Sequence, residues 1–170
     1  MMRAGILAVA GMVVAALGLS IVLPPAPRLI WNASASVPIG LYAVGPIGAL
    51  HADELVVVNP PPQLAAFLSA RAYLPQGVPL LKHIAALPGQ TVCRAGRTIT
   101  VDGTALGDAL DRDRRGRILP RWQGCQRISR GAVFLMNARV RDSLDSRYFG
   151  VLPAATIIGQ ATPIWTPEEQ

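Results

Sequence analysis

Serine and lysine, which could act as a nucleophile and its base, lie far apart in this sequence. The stretch NASASVPIGLY at residues 32–42 places Ser34 and Ser36 just before Pro38 and Gly40. Pro38 stiffens the backbone and Gly40 permits unusual dihedral angles, so Ser36 can be presented at a bend. A serine hydroxyl is a weak nucleophile until a base removes its proton. The stretch is therefore either an ordinary turn or a nucleophile loop, depending on whether a base lies nearby.

Lys82 is the candidate base. It is the only lysine among 16 basic residues, and it lies in the apolar stretch LLKHIAAL. A buried lysine can lose its proton near neutral pH because desolvation disfavours the ammonium, whereas arginine stays charged. A neutral amine in this setting could act as a general base. The alternative is a structural lysine whose charge reaches solvent along its aliphatic stem.

Histidine-based and metal-based chemistry are the competing interpretations. His51 lies in a turn with Asp53, and His83 faces away from Lys82 if the stretch is a strand. Two histidines and two distant cysteines form no ligand cluster, so we expect neither a metal nor another cofactor. A Ser-His-Asp triad remains open.

The N-terminus predicts a membrane anchor. An uncharged apolar run from Ala4 to Leu23 follows Arg3, and a bilayer-spanning helix needs roughly 20 such residues. A cleaved signal peptide is the alternative, but its apolar core is usually about 7–15 residues. We expect residues 1–27 to form an anchor and linker in the bacterial inner membrane. Residues 28–170 would then form one periplasmic domain, because a short, positively charged N-terminus tends to stay cytoplasmic.

The two cysteines are consistent with this location. Cys93 and Cys125 form an even pair in a domain expected to be exported, which predicts one disulfide. Closing the loop between them would stabilise the fold by roughly 3–4 kcal/mol in the chain-entropy model.

The rest of the chain predicts a mostly-β domain. The 15 prolines and 16 glycines are typical of short strands joined by turns. The predicted elements are strands at 54–58, 78–87, 131–137 and 156–165, a hairpin around Asp102-Gly103, and a short helix at 63–74.

The net charge of +6 does not by itself indicate a nucleic-acid partner. Most of the excess lies at residues 111–127, where aspartates interleave with arginines. No aromatic platform or helix-turn-helix pattern accompanies this segment, so we expect a solvated loop and no nucleic acid. A face toward anionic lipid or an acidic partner is the alternative.

Three motifs in this order resemble the type I signal peptidases, which are membrane-anchored Ser-Lys endopeptidases that remove leader peptides. The motifs are the serine stretch, LLKHIAALPGQ and DSLDSRYFG, and the most similar branch is the conjugative-transfer (TraF-type) signal peptidases. The resemblance implies antiparallel sheets with a coiled β-barrel character. It also implies that Ser36 attacks the scissile carbonyl, that Lys82 is the general base, and that Ser34 assists the Ser36 amide in the oxyanion hole.

The third motif carries the supporting residues of the family. Ser143 resembles the serine that orients the lysine amine, while Asp145 and Arg147 look like the pair that braces the site. His83 stands where the family commonly has arginine, so we expect Asp145 to pair with Arg147 or another arginine.

The resemblance implies cleavage of exported precursors through an acyl-enzyme. In the conjugative branch the substrate is typically a pilin precursor, and cleavage can be followed by head-to-tail joining. Two other functions stay open at this point. One is a self-cleaving repressor-type peptidase, which would normally carry a DNA-binding segment. The other is a non-catalytic, membrane-tethered β-domain that scaffolds pilus or secretion assembly.

Overall fold

The structure is a computed structural model that describes residues 2–22 and 28–167. Its helices are α1 (Met2–Val22), α2 (Pro62–Ala70) and α3 (Ser146–Phe149), and a 3₁₀ turn covers Ala154–Thr156. The strands are β1 (Leu29–Asn32), β2 (Gly40–Gly45), β3 (Leu55–Val58), β4 (Leu80–Ala86), β5 (Thr91–Ala95), β6 (Thr98–Val101), β7 (Thr104–Asp108), β8 (Gly124–Arg127), β9 (Ala132–Leu135), β10 (Leu152–Pro153) and β11 (Ile157–Trp165).

The described strands form two antiparallel sheets, which confirms the mostly-β prediction. One sheet has seven strands in the order β1-β2-β11-β3-β4-β9-β10, and the other has four in the order β7-β6-β5-β8. The β-branched run of β3 explains its central place, since Val56, Val57 and Val58 are fully buried. The predicted strands at 54–58, 78–87, 131–137 and 156–165 correspond to β3, β4, β9 and β11 with shorter ends.

Strand β4, which carries the candidate base Lys82, is anchored in the core of the domain. Its residues Leu81, Ile84 and Ala86 belong to three different hydrophobic clusters. β3 pairs with β4 on one side, with Val56 opposite Lys82, and β9 pairs with it on the other. The backbone that carries Lys82 is therefore held from both sides.

The apolar N-terminal run folds as helix α1. Within the described residues, however, no helix is both long and apolar enough to cross a membrane. The predicted linker PPAP at residues 24–27 lies outside the described residues, as does Leu23.

The hairpin and the disulfide are both present as predicted. Asp102 and Gly103 have φ angles of 48° and 83°, the positive values that a two-residue type I′ turn needs between β6 and β7. Cys93 on β5 pairs directly with Cys125 on β8, and the two form a disulfide. The bond therefore fastens the outer strand β8 to the four-stranded sheet.

The short helix ends earlier than the sequence pattern predicts. Helix α2 stops at Ala70 instead of continuing to Leu74. Ala72 adopts a left-handed conformation with φ of 53°, and the Tyr73 hydroxyl then bonds to Asp113 in the arginine-rich loop. This tertiary contact ends a helix that spacing alone would have extended.

Candidate active site

The predicted nucleophile loop joins β1 to β2 and is held together by Asn32. The Asn32 amide nitrogen donates to the carbonyls of Ser34, Val37 and Pro38 at 2.7, 3.0 and 3.0 Å. Its oxygen accepts from the backbone N–H of Ser34 at 3.2 Å. One buried side chain thus fixes the loop around Ser36, which bends as Pro38 and Gly40 predict.

Gly40 closes this loop where no side chain would fit. Its φ of 155° is one that L-residues rarely adopt, and a Cβ there would lie 2.1 Å from the carbonyl oxygen of Trp165. The Tyr42 hydroxyl donates to the Pro38 carbonyl at 2.6 Å. The loop therefore has a conformation fixed by contacts with the rest of the fold.

The hydroxyl groups of Ser34 and Ser36 lie on the same side of the loop, with their oxygens 3.0 Å apart. Ser34 Oγ is also 3.0 Å from Asn32 Oδ1, a carbonyl oxygen that can only accept. Ser34 therefore donates its proton to Asn32, and Ser36 donates to Ser34. In this arrangement the Ser34 hydroxyl points away from any oxyanion at Ser36, so the predicted oxyanion role of Ser34 requires its hydroxyl to rotate. The Ser36 N–H makes no hydrogen bond within the described residues.

Lys82 is buried, with 3% of its surface exposed, and its Nζ donates to Ser143 Oγ at 2.9 Å. Burial lowers the pKa of Lys82 to about 8, because desolvation disfavours the ammonium. The charge of Asp145 opposes this lowering, whereas that of Arg147 adds to it. The amine is thus close to the neutral form that a general base needs.

Asp145 and Arg147 form the buried ion pair that the sequence allowed, with side chains 0% and 1% exposed. The Arg147 guanidinium donates to both carboxylate oxygens, at 2.9 and 2.8 Å. Asp145 also caps the N-terminus of α3 by accepting from the Arg147 N–H. The guanidinium further donates to the Ser143 carbonyl at 3.2 Å, so this pair positions the residue that contacts Lys82.

Ser36 and Lys82 are not joined by a hydrogen bond among the described residues, since each bonds to another serine. Their neighbours Val37 and Leu81 nevertheless belong to one hydrophobic cluster, together with Tyr42. Catalytic hydrogen bonds are often long in the absence of substrate. The Ser36–Lys82 dyad therefore stays a prediction.

The contacts of the two histidines give little support to a Ser-His-Asp triad. The half-buried His83 has its Nδ1 2.9 Å from the Asp53 carbonyl oxygen and 3.5 Å from the exposed Asp53 carboxylate. His51 uses its backbone N–H to contact Glu54. In the described part of the chain, no serine is hydrogen bonded to either imidazole.

Sequence reasoning missed two asparagines that support the site. Asn32 shapes the nucleophile loop, and Asn137 bonds to the backbone on both sides of Lys82. Asn32 is the first residue of the serine stretch, and Asn137 directly follows the apolar run GAVFLM. A polar residue ending a buried strand could have drawn attention to Asn137, but its partners could not be inferred.

The site thus combines a loop-borne serine with a buried lysine in a mostly-β domain, and these are residue types that a nucleophile and its base require. Residues 1–166 match the family described as "Signal peptidase, peptidase S26". The chain belongs to this family, as its three motifs predict.

Relatives support the conjugative branch. The chain is 35% identical over 146 residues to the conjugal transfer protein TraF of Agrobacterium fabrum (strain C58), covering 79% of this chain and 81% of that protein. It is 35% identical over 145 residues to the probable conjugal transfer protein TraF of Sinorhizobium fredii (strain NGR234), covering 79% and 76%. A crystal structure of a signal peptidase I from Enterococcus faecalis V583 matches with a TM-score of 0.41 and 19% identity, over 68% of this chain and 99% of that one.

Replacing Lys82 should change stability in a pH-dependent way. The pKa of Lys82 is about 8 in the folded protein and near 10.5 when unfolded. Between these values the unfolded chain binds more protons, so the penalty for burying the amine is largest below pH 8 and is relieved as pH rises toward 10.5. We expect Lys82→Met to be more stable than wild type by up to roughly 3 kcal/mol at pH 7. Urea unfolding at pH 7, 8, 9 and 10 measures the difference, which should shrink with pH; a constant difference would contradict the pKa assignment.

Removing the charge of Asp145 should be far more costly than removing that of Asp142. Asp145→Asn leaves the Arg147 guanidinium buried without its counter-ion, which costs about 3–5 kcal/mol. Asp142→Asn is the matched control, because Asp142 pairs with the exposed Arg114 and should contribute about 1 kcal/mol or less. Chemical denaturation of both variants tests this difference. Equal losses would show that the Asp145–Arg147 pair does not organise the segment.

Proposed function

We propose that this chain is a serine endopeptidase that cleaves leader or pro-peptides from exported precursors through an acyl-enzyme on Ser36. The observation that carries the proposal is the buried Lys82 amine, with a pKa of about 8, in a chain belonging to a signal peptidase family. An amine of that pKa can exchange protons near neutral pH, which the 15 arginines of the chain cannot do.

In the first half of the reaction, Ser36 Oγ attacks the scissile carbonyl carbon and Lys82 Nζ accepts the hydroxyl proton. Negative charge develops on the carbonyl oxygen of the tetrahedral intermediate. The Ser36 N–H, which has no hydrogen-bond partner in the described residues, is available to stabilise it. Rotation of the Ser34 hydroxyl away from Asn32 would add a second donor.

In the second half, the protonated Lys82 donates its proton to the leaving amine as the carbon–nitrogen bond breaks. An acyl ester on Ser36 remains. Water, deprotonated by the now neutral Lys82, attacks this ester. As the bond between the acyl carbon and Ser36 Oγ breaks, Lys82 returns that proton to Ser36 Oγ and the acyl group leaves as a carboxylic acid. Ser143 holds Nζ in place throughout, since their hydrogen bond links the amine to the Asp145–Arg147 segment. Attack by an amine instead of water would join two peptide ends.

We further propose that the enzyme works at the periplasmic face of the bacterial inner membrane on a pilin-like precursor. The names of its relatives place those proteins in conjugal transfer. The disulfide supports an exported domain, and the uncharged N-terminal run supports an association with the membrane, which does not require a spanning helix. Beside the Ser36 loop, Trp31 stacks on Trp165 with 5.9 Å between ring centroids, and both are more than half exposed. Paired exposed indoles of this kind suit a membrane interface.

Processing of exported pilin-like precursors in membranes that contain each variant tests the function. We expect Ser36→Ala and Lys82→Ala to abolish cleavage, because the first removes the nucleophile and the second removes its base. Ser129→Ala, at an exposed serine, and His83→Ala, beside the lysine, should both process the precursor.

Each alternative gives a different pattern in that experiment. Wild-type processing by Ser36→Ala and Lys82→Ala would support the scaffold function. Loss in His83→Ala with retention in Lys82→Ala would support a histidine triad. Accumulation and disulfide formation in each variant exclude misfolding as the cause of a loss.

A further inference from the structure

Asn137 holds the backbone on both sides of Lys82. Its Oδ1 accepts from the His83 N–H at 3.0 Å, and its Nδ2 donates to the Leu81 carbonyl at 3.3 Å. The last backbone hydrogen bond between β4 and the end of β9 is the one that the Met136 N–H donates to the His83 carbonyl, at 2.9 Å. Beyond that point the Asn137 side chain replaces the backbone as the partner of β4.

The main chain of Asn137 is attached to the buried ion pair. Its N–H donates to Asp145 Oδ2 at 3.1 Å, and its carbonyl accepts from the Arg147 guanidinium at 3.3 Å. The same guanidinium holds the Ser143 carbonyl. Asn137 therefore connects the strand that carries Lys82 to the segment that carries its hydrogen-bond partner Ser143.

We propose that Asn137 is a positioning residue for the base: its amide fixes β4 on both sides of Lys82 and so keeps Nζ buried against Ser143. This proposal rests on the proposed function in so far as Lys82 is the base. Asn137 is buried, with 3% of its surface exposed, and both ends of its amide are already bonded to β4. It acts through Lys82 and not on the substrate.

Losing this amide should change how Lys82 titrates. On the β3 side, Lys82 lies opposite the apolar Val56. The charged groups that act on it are Asp145 and Arg147, both on the segment that Asn137 attaches to β4. Separation of β4 from this segment admits water to Nζ, and solvation favours the ammonium. The pKa of Lys82 should then rise toward 10.5, its ordinary value.

Because the chain has a single lysine, this pKa can be measured without any activity assay. The full chain labelled with ¹³C-lysine in mild detergent gives one Cε signal, and its shift against pH reports Lys82. We expect a midpoint near pH 8 for wild type and for Asn59→Ala, a matched control at an exposed asparagine. Asn137→Ala should titrate at least about one pH unit higher.

Activity supplies the second readout. Misplacement of the base by about 1 Å can cost up to 100-fold in rate, so kcat of Asn137→Ala at pH 8 should fall roughly 10- to 100-fold. KM should stay unchanged, and the ascending limb of the pH–rate profile should move to higher pH with the NMR midpoint. A purely structural asparagine would lower the amount of folded enzyme without moving either midpoint.

The outcomes separate this proposal from the proposed function. If Asn137→Ala has a raised NMR midpoint but the wild-type protein cleaves no precursor, the positioning role is supported and the peptidase function is overturned. A folded Asn137→Ala protein with the wild-type midpoint and kcat overturns the positioning role. If Asn137→Ala does not fold, the uncharged Asn137→Ser decides by the same two criteria. Its short hydroxyl cannot reach both the His83 N–H and the Leu81 carbonyl, and it places no new charge beside Lys82.

Discussion

The buried ion pair between Asp145 and Arg147 is the interaction on which the candidate site depends. Charges removed from water are stable only when their remaining hydrogen-bonding groups are satisfied. Here the guanidinium also donates to five backbone carbonyls, those of Asp108, Asn137, Val140, Arg141 and Ser143. These carbonyls belong mostly to a segment without regular secondary structure. One arginine thus gives residues 137–145 a fixed shape that no helix or strand supplies.

That fixed segment sets the environment of Lys82. Apolar strands desolvate the amine, Ser143 binds it, and the two charges of the ion pair act on it in opposite directions. As a result the pKa of the Lys82 amine is about 8. Such a value suits a general base, because general-base catalysis is most efficient when the pKa of the base lies near the working pH. A lysine at the surface would be protonated and inert. The polar network behind Lys82 therefore matters as much as the lysine itself.

Local patterns in the sequence predicted much of this arrangement. Each of four features could be recognised from its own residue types and close neighbours. They are the β-branched run of β3, the Asp-Gly turn, the paired cysteines and the single lysine in an apolar strand. Bonds between distant residues could not be read in the same way. Arg94 looks like one arginine among many, yet it is 1% exposed and donates to the Arg147 carbonyl at 2.7 Å across 53 positions. Asn137 bonds to β4 across a similar number of sequence positions, and no periodic pattern in the sequence predicts either contact.

The most direct test of the central claim is to identify the residue that becomes acylated during precursor cleavage. The reaction is quenched with acid within the first turnovers, and the enzyme is digested and mapped by mass spectrometry. An ester to the N-terminal fragment of the precursor should appear on Ser36 in the wild-type enzyme and be missing from Ser36→Ala and Lys82→Ala. Cleavage that proceeds with the acyl group on another residue, or with no ester on Ser36 under conditions that trap one in a known serine peptidase, would contradict the account.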